Sequence, residues 1–241
     1  MTLAAILAAA VAALLTGMAK CGIPGLGFLS VPIMAMAMPA RESVGALLPI
    51  LLVGDCVAVT MYRQTARWDW IARLAPWVAV GMVVGAWWLA RLDNTALRRV
   101  LGALVLTMVA LDGLRHRLDL NRLVHHPITT ASAGVFAGAA TVLGNAAGPV
   151  MNIYLLARNL PRQWFVGTAA WFFLLVNLTK VAIFSYQDIL SIRNLLLAAA
   201  LVPAVLGGAF LGRALLHRLS EGTFQTVVRF LCVLSGLKLL F

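Results

Sequence analysis

The sequence predicts an all-α, polytopic membrane protein. It has two internal repeats, each a Gly/Pro-broken helix plus three long helices, with about 7–8 spans in all. Three observations carry this prediction. First, the chain has 241 residues, 62% of them hydrophobic and only 11% charged, with a mean hydropathy of +0.95. A soluble domain carries about 25% charged residues. So few cannot form a water-facing surface, which leaves lipid as the outer solvent. Second, apolar runs of spanning length follow one another along the chain. Third, the second half repeats the punctuation of the first.

The runs fall at about 2–19, 26–38, 42–62, 70–90, 95–114, 128–143, 149–158, 163–184, 189–212 and 222–241. A spanning helix needs about 20 apolar residues, so 26–38 and 149–158 are too short. Each of these two follows a cluster of glycine and proline, Gly22-Ile-Pro-Gly-Leu-Gly27 and Gly144-Asn-Ala-Ala-Gly-Pro149. The stretch before the first cluster lacks a basic leading segment and a cleavage site before a polar domain, so it reads as a retained helix. Alternation of period two is absent, which excludes a membrane β-barrel. The longest polar interruption, 115–127, reads as a linker between membrane repeats at 1–114 and 128–241. Its His125-His126 pair reads as a solvated loop, because adjacent residues point to different sides of a helix.

A shift of 122 positions aligns the halves without a gap. Gly22 falls on Gly144, Pro39 on Pro161, Gly45 on Gly167, Gly85 on Gly207 and Arg91 on Arg213. Apolar coincidences are cheap in such a chain, but shared Gly, Pro and Arg in one register are not. If the short helix completes a crossing, each half has four crossings and the repeats are parallel. If it turns back, the repeats are inverted. Flanking Lys and Arg split eight against eight in the first case and ten against six in the second. Positive charge collects on one side of a membrane protein, so the inverted arrangement is favoured and the linker lies inside.

The two breaks are the expected binding site. In lipid, a broken helix is tolerated only where its freed backbone groups face protein or a watery cavity. Pro24 and Pro149 remove donors, and Gly22, Gly25, Gly27, Gly144 and Gly148 permit tight turns. The short helices that follow would point their partly positive N-termini at an anion. Lys20 abuts the first break, Asn145 lies in the second, and Asn152 follows it. Asp55 and Asn177 occupy equivalent positions in apolar runs, and Lys180 lies one turn beyond Asn177. A charge at mid-bilayer costs at least ~2.5–3.5 kcal/mol on insertion scales, so these residues imply partners, water or substrate. Lys20 and Lys180 would attract an anion and Asp55 could take up a coupling proton. A structural Asp55–Lys180 ion pair is the competing reading.

Other features have plainer explanations. The net charge of +11 sits in loops flanking the spans, which is a topology signal and excludes nucleic-acid binding. Trp68, Trp70, Trp77, Trp87 and Trp88 fit an interface belt, and Met34, Met36 and Met38 fit core filling. The three Gly-x-x-x-Gly pairs at 81/85, 134/138 and 208/212 could serve internal packing or a homodimer equally. Cys21, Cys56 and Cys232 are too scattered for a disulfide framework or a metal site and read as small buried side chains. No catalytic or nucleotide motif is present, so neither an enzyme nor a cofactor is expected.

The stretch from Gly22 through Pro39 to Gly45, with its second copy from Gly144 through Pro161 to Gly167 and Thr168, resembles the TauE/SafE sulfite-exporter family over nearly the whole chain, in both halves. The resemblance implies a secondary transporter in the bacterial inner membrane for a small sulfur-containing or carboxylate anion. Its solute would be sulfite, a sulfonate or a related organic anion, moved by alternating access. In place of the consecutive glycines usual at the family's first break, this chain has Pro24, Leu26 and Phe28, which implies a narrower, more apolar cavity. The other function classes are an anion channel, which would not saturate, and a membrane scaffold subunit, which no solute would stabilise. The expected partners are the anionic solute and membrane lipid.

Overall fold

The computed structural model describes residues 3–22, 26–114, 127–156, 160–215 and 221–240. Among them are eleven helices and no strand. In the first half they are α1 (Leu3–Cys21), α2 (Gly27–Ala37), α3 (Ala40–Tyr62), α4 (Trp68–Arg91) and α5 (Asn94–Leu114). In the second they are α6 (Pro127–Gly144), α7 (Gly148–Leu156), α8 (Arg162–Tyr186), α9 (Ile192–Ala200), α10 (Val202–Leu215) and α11 (Glu221–Leu240). Residues 115–126 of the expected linker lie outside the described residues.

The helices begin and end where backbone chemistry dictates. Pro39 and Pro161, 122 apart, both stand just before a long helix with near-identical backbones (φ −52°, ψ 141° and φ −53°, ψ 143°). Their carbonyls accept from the N–H groups of Ser43 and Phe165 at 2.9 and 3.0 Å. The expected run at 189–212 is two helices, α9 and α10, bent by 50°. Pro203 causes the bend, since it lacks an N–H and its ring crowds the carbonyl one turn back.

α1, α3, α4 and α8 are long and apolar enough to cross a membrane, and the bent α9–α10 pair makes a fifth. α5 and α11 have 21 and 20 residues, long enough but less apolar, because Arg98, Arg99, Asp112, Arg229 and Lys238 lie within them. The outward faces are oily. Trp77, Val80, Val83, Val84, Trp87 and Trp88 of α4 are all exposed, as a lipid-facing helix requires. The tryptophans at its two ends carry arginines, Arg67 over Trp70 at 4.7 Å and Arg91 over Trp87 at 3.9 Å.

Contacts fix the helix directions. α2 folds back along α1: the Ser30 hydroxyl donates to the Ala12 carbonyl at 3.2 Å and lies 3.3 Å from Thr16 Oγ1, while Gly27 packs at Ala19. With 11 residues, α2 is roughly 16 Å long, about half a hydrocarbon core. α3 and α8 cross antiparallel, with Gly45 at Ile189, Asp55 at Asn177 and Thr65 at Gln163. α5 and α11 are also antiparallel, joined by Gly102 against Gly236 and by Arg229 donating to Asp112 at 2.8 Å. α1 runs parallel to α10, and α4 to α6. Shifted by 122 positions, α1 to α5 fall on α6, α7, α8, α9–α10 and α11. The first helix of each half thus packs on the fourth span of the other.

The small-residue pairs build these exchanged contacts. A Cβ on Gly81 would overlap the Val135 carbonyl, one on Gly138 the Val78 carbonyl, and one on Gly208 the Leu14 carbonyl. All three pairs face helices of the same chain. Gly138→Val is expected to lower the thermal midpoint in detergent by the equivalent of ~1–3 kcal/mol or more, as overpacking against backbone does. Gly207→Ala, with nothing within 4 Å of the new methyl, serves as the control and is expected to change little. Equal midpoints would mean that α4 and α6 do not touch there. Of the cysteines, Cys21 and Cys232 are buried, but Cys56 is exposed, contrary to expectation: it lies next to Asp55 but on the outward side of α3.

Candidate functional site

The two breaks meet in the middle of the molecule around a cavity of about 120 Å³. A water needs roughly 10–15 Å³ on this measure, so the space suits a few waters or one small anion. Its polar wall consists of Lys20, Thr141, Asn145, Asn152 and Asn177, together with the backbones of Gly22, Gly27 and Gly148. The rest is apolar, chiefly Phe28, Val31, Phe165 and Phe173. α2 and α7 both begin here, with Gly148 against the ring of Phe28. The aligned peptide dipoles give this end of each helix a partial positive charge. Asn145, with a φ of 54°, makes the turn into α7, a left-handed conformation that asparagine tolerates.

A buried polar chain runs behind the wall. Lys20 Nζ lies 2.5 Å from Asp55 Oδ1 and 4.0 Å from the centre of the Phe173 ring. The Asn177 amide donates to Asp55 Oδ2 at 2.6 Å. Lys180 donates to Asn177 Oδ1 at 2.9 Å, to Thr141 Oγ1 at 3.5 Å and to Asn145 Oδ1. Asn145 in turn donates to the Val44 carbonyl at 3.3 Å, tying the second break to α3. The Lys20 side chain is 13% exposed and Asp55 fully buried. Two lysines thus face one carboxylate in this chain.

The expected site residues divide into three groups. Lys20, Gly22, Gly27, Asn145, Gly148, Asn152 and Asn177 line the cavity. Asp55 and Lys180 stand behind it, both fully buried. Lys180 holds the oxygens of the two asparagines instead of facing a solute, and Asp55 pairs with Lys20, not with Lys180. Gly144 and Pro149 are off the wall. Gly144 packs on Leu101 and Leu104 of α5, and Pro149 is buried in the first turn of α7. Pro24 and Gly25 lie outside the described residues. The sequence reading missed Thr141, Phe165 and Phe173; Phe28, which it expected to make the cavity more apolar, is on the wall. Thr141 could have been found from the repeat, because it falls opposite Ala19, beside Lys20. The charges themselves are not duplicated: Lys20 corresponds to Val142 and Lys180 to Ala58.

The cavity is lopsided. On α8 it runs from Asn177 to Phe165, about 18 Å toward the end of the molecule that holds Tyr62, Leu114 and Pro127. On α3 it reaches only Leu51. Below that, Ser43, Val44, Leu47 and Leu48 are at most 2% exposed. Their counterparts in the shifted register, Phe165, Val166, Ala169 and Ala170, form the cavity wall. The cavity thus extends toward one end of the molecule and is closed by packed side chains toward the other.

No group of three or more metal-ligating side chains occurs among the described residues. Neither a curated protein nor a solved structure shows a significant match to the chain. A family model described as Sulfite exporter TauE/SafE matches residues 3–239. The match covers both broken helices and every spanning helix, and the family is one of multi-pass membrane transporters for small anions. The chain therefore belongs to the TauE/SafE sulfite exporter family.

Proposed function

We propose that the protein is a secondary transporter that carries a small sulfonate or related organic anion, or sulfite, through the central cavity by alternating access. The observation that carries this is Lys20, the one cation on the cavity wall among the described residues, placed where the two broken helices begin. Buried charge is costly unless balanced. Once Asp55 is protonated, Lys20 lacks its carboxylate, and a bound monoanion takes that place. The phenylalanine-rich wall favours an anion with a short apolar part over sulfite itself.

In this reading the halves are inverted repeats. Each contributes a half-crossing hairpin and three crossings, and the open and sealed ends exchange during transport. The antiparallel α3–α8 and α5–α11 pairs and the exchanged α1–α10 and α4–α6 pairs support this. Asp55 supplies the coupling. When Asp55 is ionised it holds Lys20, and when it takes up a proton it frees Lys20 for the anion.

Proteoliposomes loaded with labelled sulfite or a small alkyl sulfonate test the proposal, with and without an imposed pH gradient. Saturable flux that follows the gradient is expected, with the sulfonate preferred. Flux that rises linearly with concentration would indicate a channel. Absence of flux for either solute in tight vesicles would overturn the transporter reading.

A further inference from the structure

A second concavity, of about 710 Å³, opens at the end of the molecule holding Ala40, Arg91 and Leu240. It lies between the turn from α2 into α3, the start of α5 and the end of α11. Three cations line it, Arg98 and Arg99 from α5 and Lys238 from α11, and among the described residues no carboxylate does. All three are exposed, and none has an ion-pair partner among the described residues. Asp93, close by in sequence, accepts from the Ala96 N–H at 2.7 Å as a helix cap instead. Like charges gathered at one mouth raise the local concentration of anions. Topology does not require these charges, because this is the side poorer in Lys and Arg, six against ten in the inverted arrangement.

The position of this mouth ties it to the solute route. α2 touches both spaces: Gly27, Phe28 and Val31 face the central cavity, and Ala35, Met36 and Ala37 face the second. Between these two stretches of α2 lies Met34, fully buried, and Val44 of α3 is buried as well.

We propose that Arg98, Arg99 and Lys238 form a second anion site, a vestibule at the sealed end of the route. It takes an oxyanion group: an inorganic oxyanion, the charged end of an organic acid, or the phosphate of an acidic lipid. Its place at the end of the solute route rests on the transport reading above; its ability to bind an oxyanion does not.

The test is equilibrium dialysis with labelled sulfate, on protein in nanodiscs of phosphatidylcholine. Wild type, Lys20→Met and Arg98→Gln/Arg99→Gln/Lys238→Gln are compared, the triple change also in the Lys20→Met background. Lys20→Met is expected to keep a binding component that weakens as salt rises, and adding the triple change should lower its affinity at least tenfold. Arg98→Lys/Arg99→Lys, which keeps the charge, should retain it, and each variant of the three cations is folded when its thermal midpoint equals that of its own parent, wild type or Lys20→Met. Repeating the dialysis with phosphatidylglycerol in the discs identifies the source. Sulfate binding lost there, and only when the three cations are present, assigns the site to the lipid phosphate; binding retained assigns it to the free anion. Equal binding by the triple variant and its parent in both lipids overturns the proposal. Flux is read in parallel: normal flux in Lys20→Met with sulfate binding lost in the triple variant removes the transport reading and leaves the anion site standing.

Discussion

Replacing Lys20 by methionine is expected to abolish anion flux and to lower stability by ~3–5 kcal/mol, the usual cost of breaking a buried ion pair from one side. Asp55 would remain fully buried with only the Asn177 amide as a partner. The double variant Lys20→Met/Asp55→Asn removes both charges. It is expected to recover most of the thermal midpoint while flux stays at the background of empty vesicles. That split separates the two duties of Lys20, pairing with Asp55 and receiving the anion. Measurable flux in the double variant would show that the solute does not need the cation, and the assignment of the cavity would fall with it.

The second large effect is at Lys180. Lys180→Ala is expected to abolish flux, although the lysine never reaches the cavity. Its loss would orphan Asn145 Oδ1, Asn177 Oδ1 and Thr141 Oγ1. Each buried polar atom left without a partner costs ~1–3 kcal/mol, and the alanine leaves a void besides. Lys180→Met removes the same hydrogen bonds without most of the void. It should fold more stably than the alanine variant yet still lose at least tenfold in flux, because both cavity-lining asparagines lose the partner of their amide oxygen and are held only through their amide N–H groups. Wild-type flux in Lys180→Met would show that the order of those amides is irrelevant to transport.

Much of this arrangement was legible in the sequence, where the backbone itself leaves a signature. Pro39 and Pro161 start α3 and α8, and the Gly/Pro clusters mark both broken helices. The equivalence of Asp55 and Asn177 placed the two side chains that meet. Other parts depend on which face of a helix a residue takes once packed, and spacing does not encode that. Gly144 looked like part of the break but packs on Leu101. Lys180 looked like an anion receptor but stands behind Asn145 and Asn177, and Cys56 points outward from α3. The bend at Pro203 was missed because α4, the counterpart of α9–α10, carries Pro76 and is still one continuous helix, so proline alone does not separate a break from a tolerated residue. α5 and α11 read as ordinary spans, yet their charges serve the Asp112–Arg229 pair and the second concavity.

Lys20 has valine, Val142, as its counterpart, and this bears on how a cargo would travel. If two mirrored halves each held a lysine, a charged group could be handed from one to the other, and the molecule carrying it could tumble on the way. Here the only cation on the wall among the described residues belongs to the first half. A solute with a charged head and an oily tail would therefore stay anchored by its head to α1 from loading to release. The protein would rearrange around a cargo of fixed orientation, so that the end of the solute that leads on entry also leads on release.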